Sequence, residues 1–188
     1  MMKSIISNLF LRFRKLKYKS FSNNNNVDGD YRALQPVVVR GQGQINLGEN
    51  VKFGVVNSPF FYNTYTYLEA RNKDSKIEIG NNVNCNNGLS ITSEKSIIIK
   101  NNVLIGYNCQ ISDSNFHNLD YNKRKETDPD PRAVIIKENV FIGNNVTILK
   151  GVEIGENSVV AAGSIVTKKF PSNVIIGGVP ATIIKEIN

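Results

Sequence analysis

His117 is the only histidine among the 188 residues of this chain, and an imidazole is the side chain best suited to acid–base chemistry at neutral pH. A single histidine excludes a zinc site built from several imidazoles, and no metal is expected. The two cysteines, Cys85 and Cys109, are too few for a disulfide framework and fit a reducing compartment. One imidazole and two thiols are therefore the first candidates for catalysis. Which of them can react depends on whether the secondary-structure elements bury or expose them.

Aliphatic residues recur every six positions over much of the chain. The longest run is Ile136, Ile142, Ile148, Ile154, Val160 and Val166. Neither the α-helical nor the β-strand period explains a spacing of six. A parallel β-helix does, because each hexad forms one short strand and a turn, and three hexads complete one coil of about 18 residues. The pattern also occurs earlier in two shorter runs, one of Ile79, Cys85 and Ile91 and one of Ile99, Ile105 and Ile111.

This repeat gives both cysteines a place in the core. Cys85 occupies an inward aliphatic position, and Cys109 occupies the small corner position four residues after another aliphatic. A buried cysteine behaves as a small hydrophobic residue, and an apolar environment keeps its thiol protonated. The repeat therefore predicts two core cysteines and no acyl-enzyme nucleophile.

A long insertion interrupts the repeat between Ile111 and Ile136. Residues 112–133 are polar, contain prolines and lack the period, so they are predicted to form a loop extruded from the coil. Loops on a rigid scaffold commonly carry function, and this one contains His117. A histidine base needs a partner that orients its other ring nitrogen. Asp113, Asp120 and a backbone carbonyl are the local candidates.

Positive charge is concentrated at the N-terminus. The net charge of +7 arises from 23 basic and 16 acidic residues, and residues 1–27 contain six basic residues and no acidic one. The remainder is almost neutral, so nucleic acid is not an expected partner. No apolar run of about 18 residues is present, and no signal-peptide pattern is evident. A cytoplasmic location is expected.

The basic segment is predicted to form a short amphipathic helix. Its apolar residues recur at helical spacing with basic residues mostly between them: Ile5, Ile6, Leu9, Phe10, Phe13 and Leu16. Such a helix within residues 1–20 suits peripheral contact with an anionic membrane. Packing on its own domain or on a neighbouring subunit is the alternative. The four asparagines at 23–26 predict a flexible boundary, which divides the chain into residues 1–27 and 28–188.

From about residue 37 to 188 the chain resembles the hexapeptide-repeat acetyltransferases. The resemblance rests on the hexads, the histidine-bearing loop and the C-terminal motifs at residues 148–152, 163–168 and 177–181. It is nearest to the maltose, galactoside and xenobiotic acetyltransferases and to the O-acetyltransferases of capsule and lipopolysaccharide synthesis. It implies an all-β fold: a left-handed parallel β-helix shaped as a triangular prism, with an extruded loop and a short N-terminal helix.

The same resemblance implies a homotrimer with active sites between subunits, acetyl-CoA as co-substrate, and His117 as general base in a direct transfer. Asp113 belongs to a Ser-Asp-x-x-x-His pattern of the polysaccharide branch, which ranks it first as the residue that orients His117. Coenzyme A contacts are implied within the C-terminal coils, including the segment 171–188. The implied contact residues are Gly143, Asn144, Ala161, Ala162, Thr167, Lys168, Pro180, Ala181 and Lys185.

On the acceptor side, Asn86 falls where the family places a sugar-binding asparagine. The aromatic cluster at residues 58–67 is interpreted either as a platform for a sugar ring or as part of the core. The expected reaction is O-acetylation of a sugar hydroxyl, in the biosynthesis of a surface polysaccharide. N-acetylation of an amino sugar, free or nucleotide-linked, is the alternative reaction. A trimeric β-helix scaffold without activity is the alternative from another class.

Overall fold

The structure, a computed structural model, describes residues 2–187, with the side chains of the N-terminal helix described from Ile6 onward. Met1, Asn188 and the side chains of Lys3 and Ile5, two residues of the predicted amphipathic helix, lie outside the described residues. The helix α1 spans Met2–Lys19. The strands in chain order are β1 Val27–Asp28, β2 Tyr31–Ala33, β3 Val37–Gly41, β4 Gln44–Leu47, β5 Val51–Phe53, β6 Thr66–Ala70, β7 Lys76–Ile79, β8 Asn84–Cys85, β9 Ser90–Ser93, β10 Ser96–Ile99, β11 Leu104–Ile105, β12 Gln110–Ser112, β13 Val134–Ile136, β14 Phe141–Ile142, β15 Thr147–Ile148, β16 Glu153–Ile154, β17 Val159–Val160, β18 Ile165–Val166, β19 Val174–Gly178 and β20 Ala181–Glu186.

Up to β18, strands that are three apart in the chain lie side by side and build three sheets, and β19 and β20 then extend the second sheet beyond β17. The first sheet is β1-β4-β7-β10-β13-β16, the second is β2-β5-β8-β11-β14-β17-β19-β20, and the third is β3-β6-β9-β12-β15-β18. Neighbouring strands are parallel except for the antiparallel pair β19 and β20 at the C-terminus. Each coil therefore passes through all three sheets and returns one strand higher, which is the predicted prism.

The hexad aliphatics form the core of the prism. All six members of the run from Ile136 to Val166 are fully buried, and the partners they stack on in adjacent coils are buried as well. Register explains this stacking, because Ile111 pairs with Ile148 and Ile148 pairs with Val166. Cys85 and Cys109 are buried in the same core. The predicted core is confirmed.

Asparagines make the tight turns between strands. Eight of the described turn asparagines have φ between +55° and +59°, a left-handed conformation that asparagine tolerates better than most residues: Asn50, Asn82, Asn102, Asn108, Asn139, Asn145, Asn157 and Asn173. Their side chains bond to one another from coil to coil, as from Asn82 to Asn102 at 3.2 Å. These turn asparagines thus form polar ladders along the prism.

The N-terminal helix packs on the prism through its basic residues. Arg14 is buried and donates hydrogen bonds to the carbonyls of Phe61 and Thr64, at 3.1 and 2.6 Å. Lys15 donates to the Ala33 carbonyl at 2.7 Å. The apolar residues that alternate with them point outward: Ile6, Leu9, Phe10, Phe13 and Leu16 are between 46% and 68% exposed. We call these five residues the outward stripe.

The asparagine tract after the helix is not a flexible boundary. Asn24 is buried, and its amide donates to the carbonyls of Arg40 and Gly43 at 3.2 and 3.0 Å. Strand β1 then begins at Val27 and pairs with β4. The prediction of flexibility is wrong because these side chains bond to neighbouring coils, which composition cannot show.

No helix in the part of the chain that the structure describes is long and apolar enough to cross a bilayer.

Candidate active site

The insertion leaves the prism after β12 and returns at β13, as predicted. Asp128 anchors its second half: this buried carboxylate accepts hydrogen bonds from the Asn115 backbone at 2.8 Å and the Lys150 ammonium at 2.6 Å. Burial alone would raise the pKa of Asp128, but these hydrogen bonds, together with one from the Asp130 backbone, hold it at about 2. The loop is therefore fastened to the next coil by an ionised carboxylate.

Asp113 anchors the first half of the loop and does not orient His117. It is fully buried and accepts hydrogen bonds from the Ser93 hydroxyl at 2.6 Å and from the backbone amides of Glu94 and Lys95 at 2.8 and 2.9 Å. The expectation that Asp113 supports the imidazole is wrong, because its carboxylate faces the coil beneath the loop. Residues four apart need not meet in an irregular segment.

The backbone carbonyl of Arg124 is the partner of His117. His117 Nδ1 lies 2.9 Å from this oxygen. A carbonyl oxygen only accepts hydrogen bonds, so Nδ1 carries the proton and Nε2 presents its lone pair. Asp120, the other acidic candidate, accepts from the Asn122 backbone at 2.9 Å and so belongs to a turn of the loop. Of the three predicted partners, the structure favours the backbone carbonyl.

Phe116, the residue before His117, is held against the prism by Arg71. The Arg71 guanidinium lies 4.4 Å from the centre of the Phe116 ring. It also forms two hydrogen bonds with the Glu69 carboxylate, at 3.2 and 3.1 Å, and approaches Glu94 at 3.6 Å. Arg71 could not be predicted from the sequence, since it lies 46 positions before His117 and no spacing rule connects them.

Neither cysteine is available as a nucleophile. Burial raises the pKa of Cys85 far above its ordinary value, and burial likewise raises that of Cys109. The Cys109 thiol also donates to the Gly143 carbonyl at 3.1 Å. Both thiols remain protonated at neutral pH, as expected of core cysteines.

The first four candidate coenzyme residues lie together on the edge between the second and third sheets, which we call the second corner. Gly143 and Asn144 follow β14, and Ala161 and Ala162 follow β17 in the next coil. The Gly163 amide donates to the Asn144 carbonyl at 2.8 Å, and a Cβ on Gly143 would lie 2.7 Å from Ala162 N. Gly143 is thus required for coil packing, and Asn144 Oδ1 accepts from the Tyr107 amide at 3.0 Å as part of a turn ladder.

Asn86 lies on the same second corner, two coils before Gly143. Its backbone amide bonds to Ile105, and the amide of Gly106 bonds to Ile142, so this corner forms one continuous column. The Asn86 carboxamide oxygen accepts from the Asn87 amide at 2.7 Å. The neighbouring aromatic cluster is divided: Phe61 is buried in the protein, whereas Tyr62 and Tyr65 are exposed.

Thr167 and Lys168 lie on the edge between the third and first sheets, which we call the loop corner. Both are exposed and follow β18, in the column that also contains Arg71, Glu94 and the His117 loop. The remaining coenzyme candidates lie elsewhere. Pro180 lies in the turn between β19 and β20, and Ala181 is the buried first residue of β20. Exposed Lys185 pairs with Ile175 near the start of β19.

One chain therefore divides the predicted site between two edges of the prism. His117 lies at the loop corner, while Asn86, Asn144 and Ala161 lie along the second corner. The width of the third sheet separates them. A single prism does not bring the proposed base to the proposed acceptor residue.

Comparison with known proteins identifies the family. Residues 133–168 match the family described as bacterial transferase hexapeptide (six repeats). The chain is also 36% identical, over 161 residues, to an Escherichia coli K12 protein named for lipopolysaccharide biosynthesis O-acetyl transfer, WbbJ; the match covers 81% of this chain and 77% of that protein. The chain belongs to the hexapeptide-repeat transferase family.

Other hexapeptide transferases agree with this assignment. The galactoside O-acetyltransferase of E. coli K12 is 43% identical over 114 residues, which cover 61% of this chain and only 56% of that enzyme. A shorter match, 48% identical over 60 residues, covers 32% of this chain and 25% of a 2,3,4,5-tetrahydropyridine-2,6-dicarboxylate N-acetyltransferase of Clostridium perfringens.

Two solved acetyltransferase structures show the same fold, and each contains coenzyme A or its acetyl form. One is a galactoside acetyltransferase in complex with coenzyme A, with 28% identity, a TM-score of 0.59 and coverage of 95% of this chain and 82% of that one. The other is a Vibrio cholerae acetyltransferase complexed with acetyl coenzyme A, with 26% identity, a TM-score of 0.56 and coverage of 94% and 78%. The left-handed parallel β-helix and the assignment as an acyltransferase are confirmed.

Proposed function

We propose that this hexapeptide transferase moves an acetyl group from acetyl-CoA to a sugar hydroxyl, with His117 as general base. The observation that carries the proposal is the 2.9 Å hydrogen bond from His117 Nδ1 to the Arg124 carbonyl. This bond fixes the neutral tautomer in which Nε2 accepts a proton. A neutral imidazole held in this tautomer suits the role of general base.

The transfer is direct. Nε2 removes the proton of the acceptor hydroxyl while its oxygen attacks the acetyl carbonyl carbon. The new C–O bond forms, the C–S bond breaks, and the thiolate of coenzyme A recovers the proton from the imidazolium. The buried, protonated thiols of Cys85 and Cys109 support a route without an acyl-enzyme.

The predicted base and the predicted acceptor residue lie on different edges of one prism. This separation supports an active site formed between two subunits. The loop corner of one chain supplies His117, and the second corner of a neighbouring chain supplies Asn86 for the acceptor. A homotrimer with three-fold symmetry repeats this contact in each of three sites, because cyclic symmetry closes a heterologous interface.

The second corner fits the coenzyme arm. Ala161 is partly exposed, Ala162 and Gly163 are exposed, and a Cβ placed on Gly163 would meet nothing within 4 Å. This strip is therefore open and poor in side chains, so a pantetheine arm can lie against its backbone. Exposed Lys168 and Lys185 would meet phosphates, and exposed Thr167 and Pro180 would line the nucleotide end, with buried Ala181 packed beneath them.

A surface polysaccharide precursor is the proposed acceptor, on the likeness to the lipopolysaccharide O-acetyl transferase. The exposed outward stripe and the basic helix support a location at the inner face of the cytoplasmic membrane, where lipid-linked glycans are built. N-acetylation of an amino sugar is the second candidate, which the shorter N-acetyltransferase match favours.

Thiol release from acetyl-CoA, measured against free sugars, nucleotide sugars, amino sugars and glycan fragments, tests the function. His117→Ala should lower kcat at least about 100-fold, as loss of a general base does, while the trimer and coenzyme A binding persist. Tyr121→Ala is the matched control, since this residue of the same loop is 81% exposed. An unchanged rate in His117→Ala refutes the base, a preference for amines favours the second candidate, and no calorimetric binding of acetyl-CoA favours a scaffold.

A further inference from the structure

Phe116 adopts a backbone conformation that an aromatic residue rarely takes. Its φ is +59°, in the left-handed region, where the β-carbon crowds the backbone. Such a residue keeps this conformation only when its surroundings impose it. Because Phe116 directly precedes His117, whatever imposes this conformation also sets the direction in which the imidazole leaves the loop.

Two contacts hold Phe116 in place. Its amide donates to the Ser114 hydroxyl at 2.8 Å, and Ser114 in turn donates to the Glu94 carboxylate. Its ring lies under the Arg71 guanidinium, with 4.4 Å between Cζ and the ring centre. This distance is well inside the range in which a cation is attracted to an aromatic face. Backbone and ring of Phe116 are thus both tied to the prism.

Arg71 is itself fixed by acidic groups. Glu69 binds it through both carboxylate oxygens, and the Tyr67 hydroxyl donates to the same Glu69 at 3.0 Å. Glu94 lies on its other side and also accepts from Thr127 of the loop at 2.9 Å. Two carboxylates surround one guanidinium, so Arg71 is an unsuitable site for an anionic acceptor group. Its planar face is committed to Phe116.

Between Phe116 and the Thr127–Glu94 bond, the loop offers little to replace this contact. Residues 117–127 are exposed apart from partly exposed Asn118, whose amide bonds to the Glu126 carbonyl within the loop itself. The His117–Arg124 bond is also internal to the loop. These bonds shape the loop but do not orient it on the prism, which leaves Phe116 on Arg71 as the anchor next to the imidazole.

We propose that Arg71 is a positioning residue, which directs His117 by clamping the Phe116 ring in its left-handed conformation. The proposal rests on the proposed function of His117. Arg71 touches neither the imidazole nor a reacting group, so its effect passes entirely through Phe116. A misplacement of about 1 Å at a reacting group can cost about 100-fold in rate.

Steady-state kinetics of the trimer, with the variants made in two backgrounds, test this. In the His117-containing enzyme, Arg71→Met and Phe116→Leu should each lower kcat about 10-fold or more, with the KM for acetyl-CoA unchanged. Arg71→Lys, which keeps the charge and loses the planar fork, should lose most of the same activity, whereas Phe116→Tyr should retain it. Arg32→Ala, an exposed arginine of β2 on the second sheet, is the control for loss of one guanidinium.

In the His117→Ala background, Arg71→Met should have no further effect on the residual rate. Equal losses in both backgrounds would overturn the proposal, because they would show a general structural role. Normal kcat in Arg71→Met or Phe116→Leu would also overturn it. If His117→Ala itself has no effect, the proposed base fails, and that outcome is separate from any result on Arg71.

Discussion

The Lys150 ammonium lies 2.6 Å from Asp128 Oδ2, and both side chains are largely buried. Lys150 follows β15, one coil above the point where the loop leaves the prism, so the pair joins the far half of the loop to the next coil. A second bond, from Lys150 to the Asp130 carbonyl at 2.9 Å, strengthens this junction. Charge-assisted bonds shielded from water are among the stronger polar contacts in proteins. The His117 loop is therefore fixed at both ends.

Asp128→Asn should loosen the loop. The substitution removes the charge that Lys150 requires and leaves a buried ammonium without its partner, at a cost of about 1–3 kcal/mol. Trypsin should then cut faster at Lys123, Arg124 and Lys125, which are exposed in this loop. Asp130→Asn is the matched control, because the Asp130 side chain is 70% exposed. Equal cleavage rates in wild type and Asp128→Asn would show that the pair does not hold the loop.

The same carboxylate predicts a dependence of stability on pH. The pKa of Asp128 is lowered from 3.8 to about 2, so folding favours its ionised form. Its contribution is therefore present above about pH 4 and is lost as the pH falls through about 2. Denaturant unfolding across this interval should show a loss of stability that is smaller in Asp128→Asn. Parallel curves for the two proteins would contradict the assignment.

The hexad spacing predicted the prism because the core itself has that period. Every coil must place an aliphatic side chain in the same interior column. Ile142 and Val160, which pair in adjacent coils, must therefore both be aliphatic, and this requirement produces the regular spacing in the sequence. The contacts of Asp113, in contrast, could not be predicted from the repeat. Its partners, Ser93 and Glu94, come from the previous coil, and no repeat relates a loop carboxylate to them. The repeat locates the loop, but contacts between coils determine its interior.

Cys85 and Cys109 should be unreactive until the prism unfolds. Both are buried, and burial raises the pKa of each thiol, so little thiolate is present at neutral pH. An aromatic disulfide reagent should label neither cysteine in native protein and both after denaturation. Rapid labelling of either thiol in the native state would contradict this prediction and would support a mechanism with a cysteine nucleophile.

The orientation of the N-terminal helix on the prism also could not be predicted from the sequence. Helical spacing separates an apolar face from a basic one, but it does not say which face meets the protein. Backbone carbonyls of the prism determine the orientation: Arg14 donates to those of Phe61 and Thr64, and Lys15 donates to that of Ala33. Truncation of residues 1–20 would therefore disturb the prism as well as the helix. Substitution of the outward stripe is the cleaner test of membrane contact.

Leu9→Ser combined with Phe13→Ser should abolish binding to anionic vesicles. These two residues are 68% and 64% exposed on the outward stripe, and Arg12, Lys17 and Lys19 are exposed beside them, as in helices that lie in a membrane interface. Sedimentation with phosphatidylglycerol vesicles should capture the wild type and leave the variant in solution. Binding should weaken with added salt and with neutral phosphatidylcholine vesicles, because basic residues supply part of the attraction.

Asn8→Ser is the control for this experiment, since Asn8 is exposed on the same helix and polar. Acetyl transfer to a soluble acceptor should be equal in all three proteins, because Arg14 still docks the helix. Failure of wild-type protein to sediment with anionic vesicles would refute membrane contact. A fall in molecular mass of the Leu9→Ser, Phe13→Ser variant, measured by light scattering, would instead identify a second copy of the chain as the partner of the stripe.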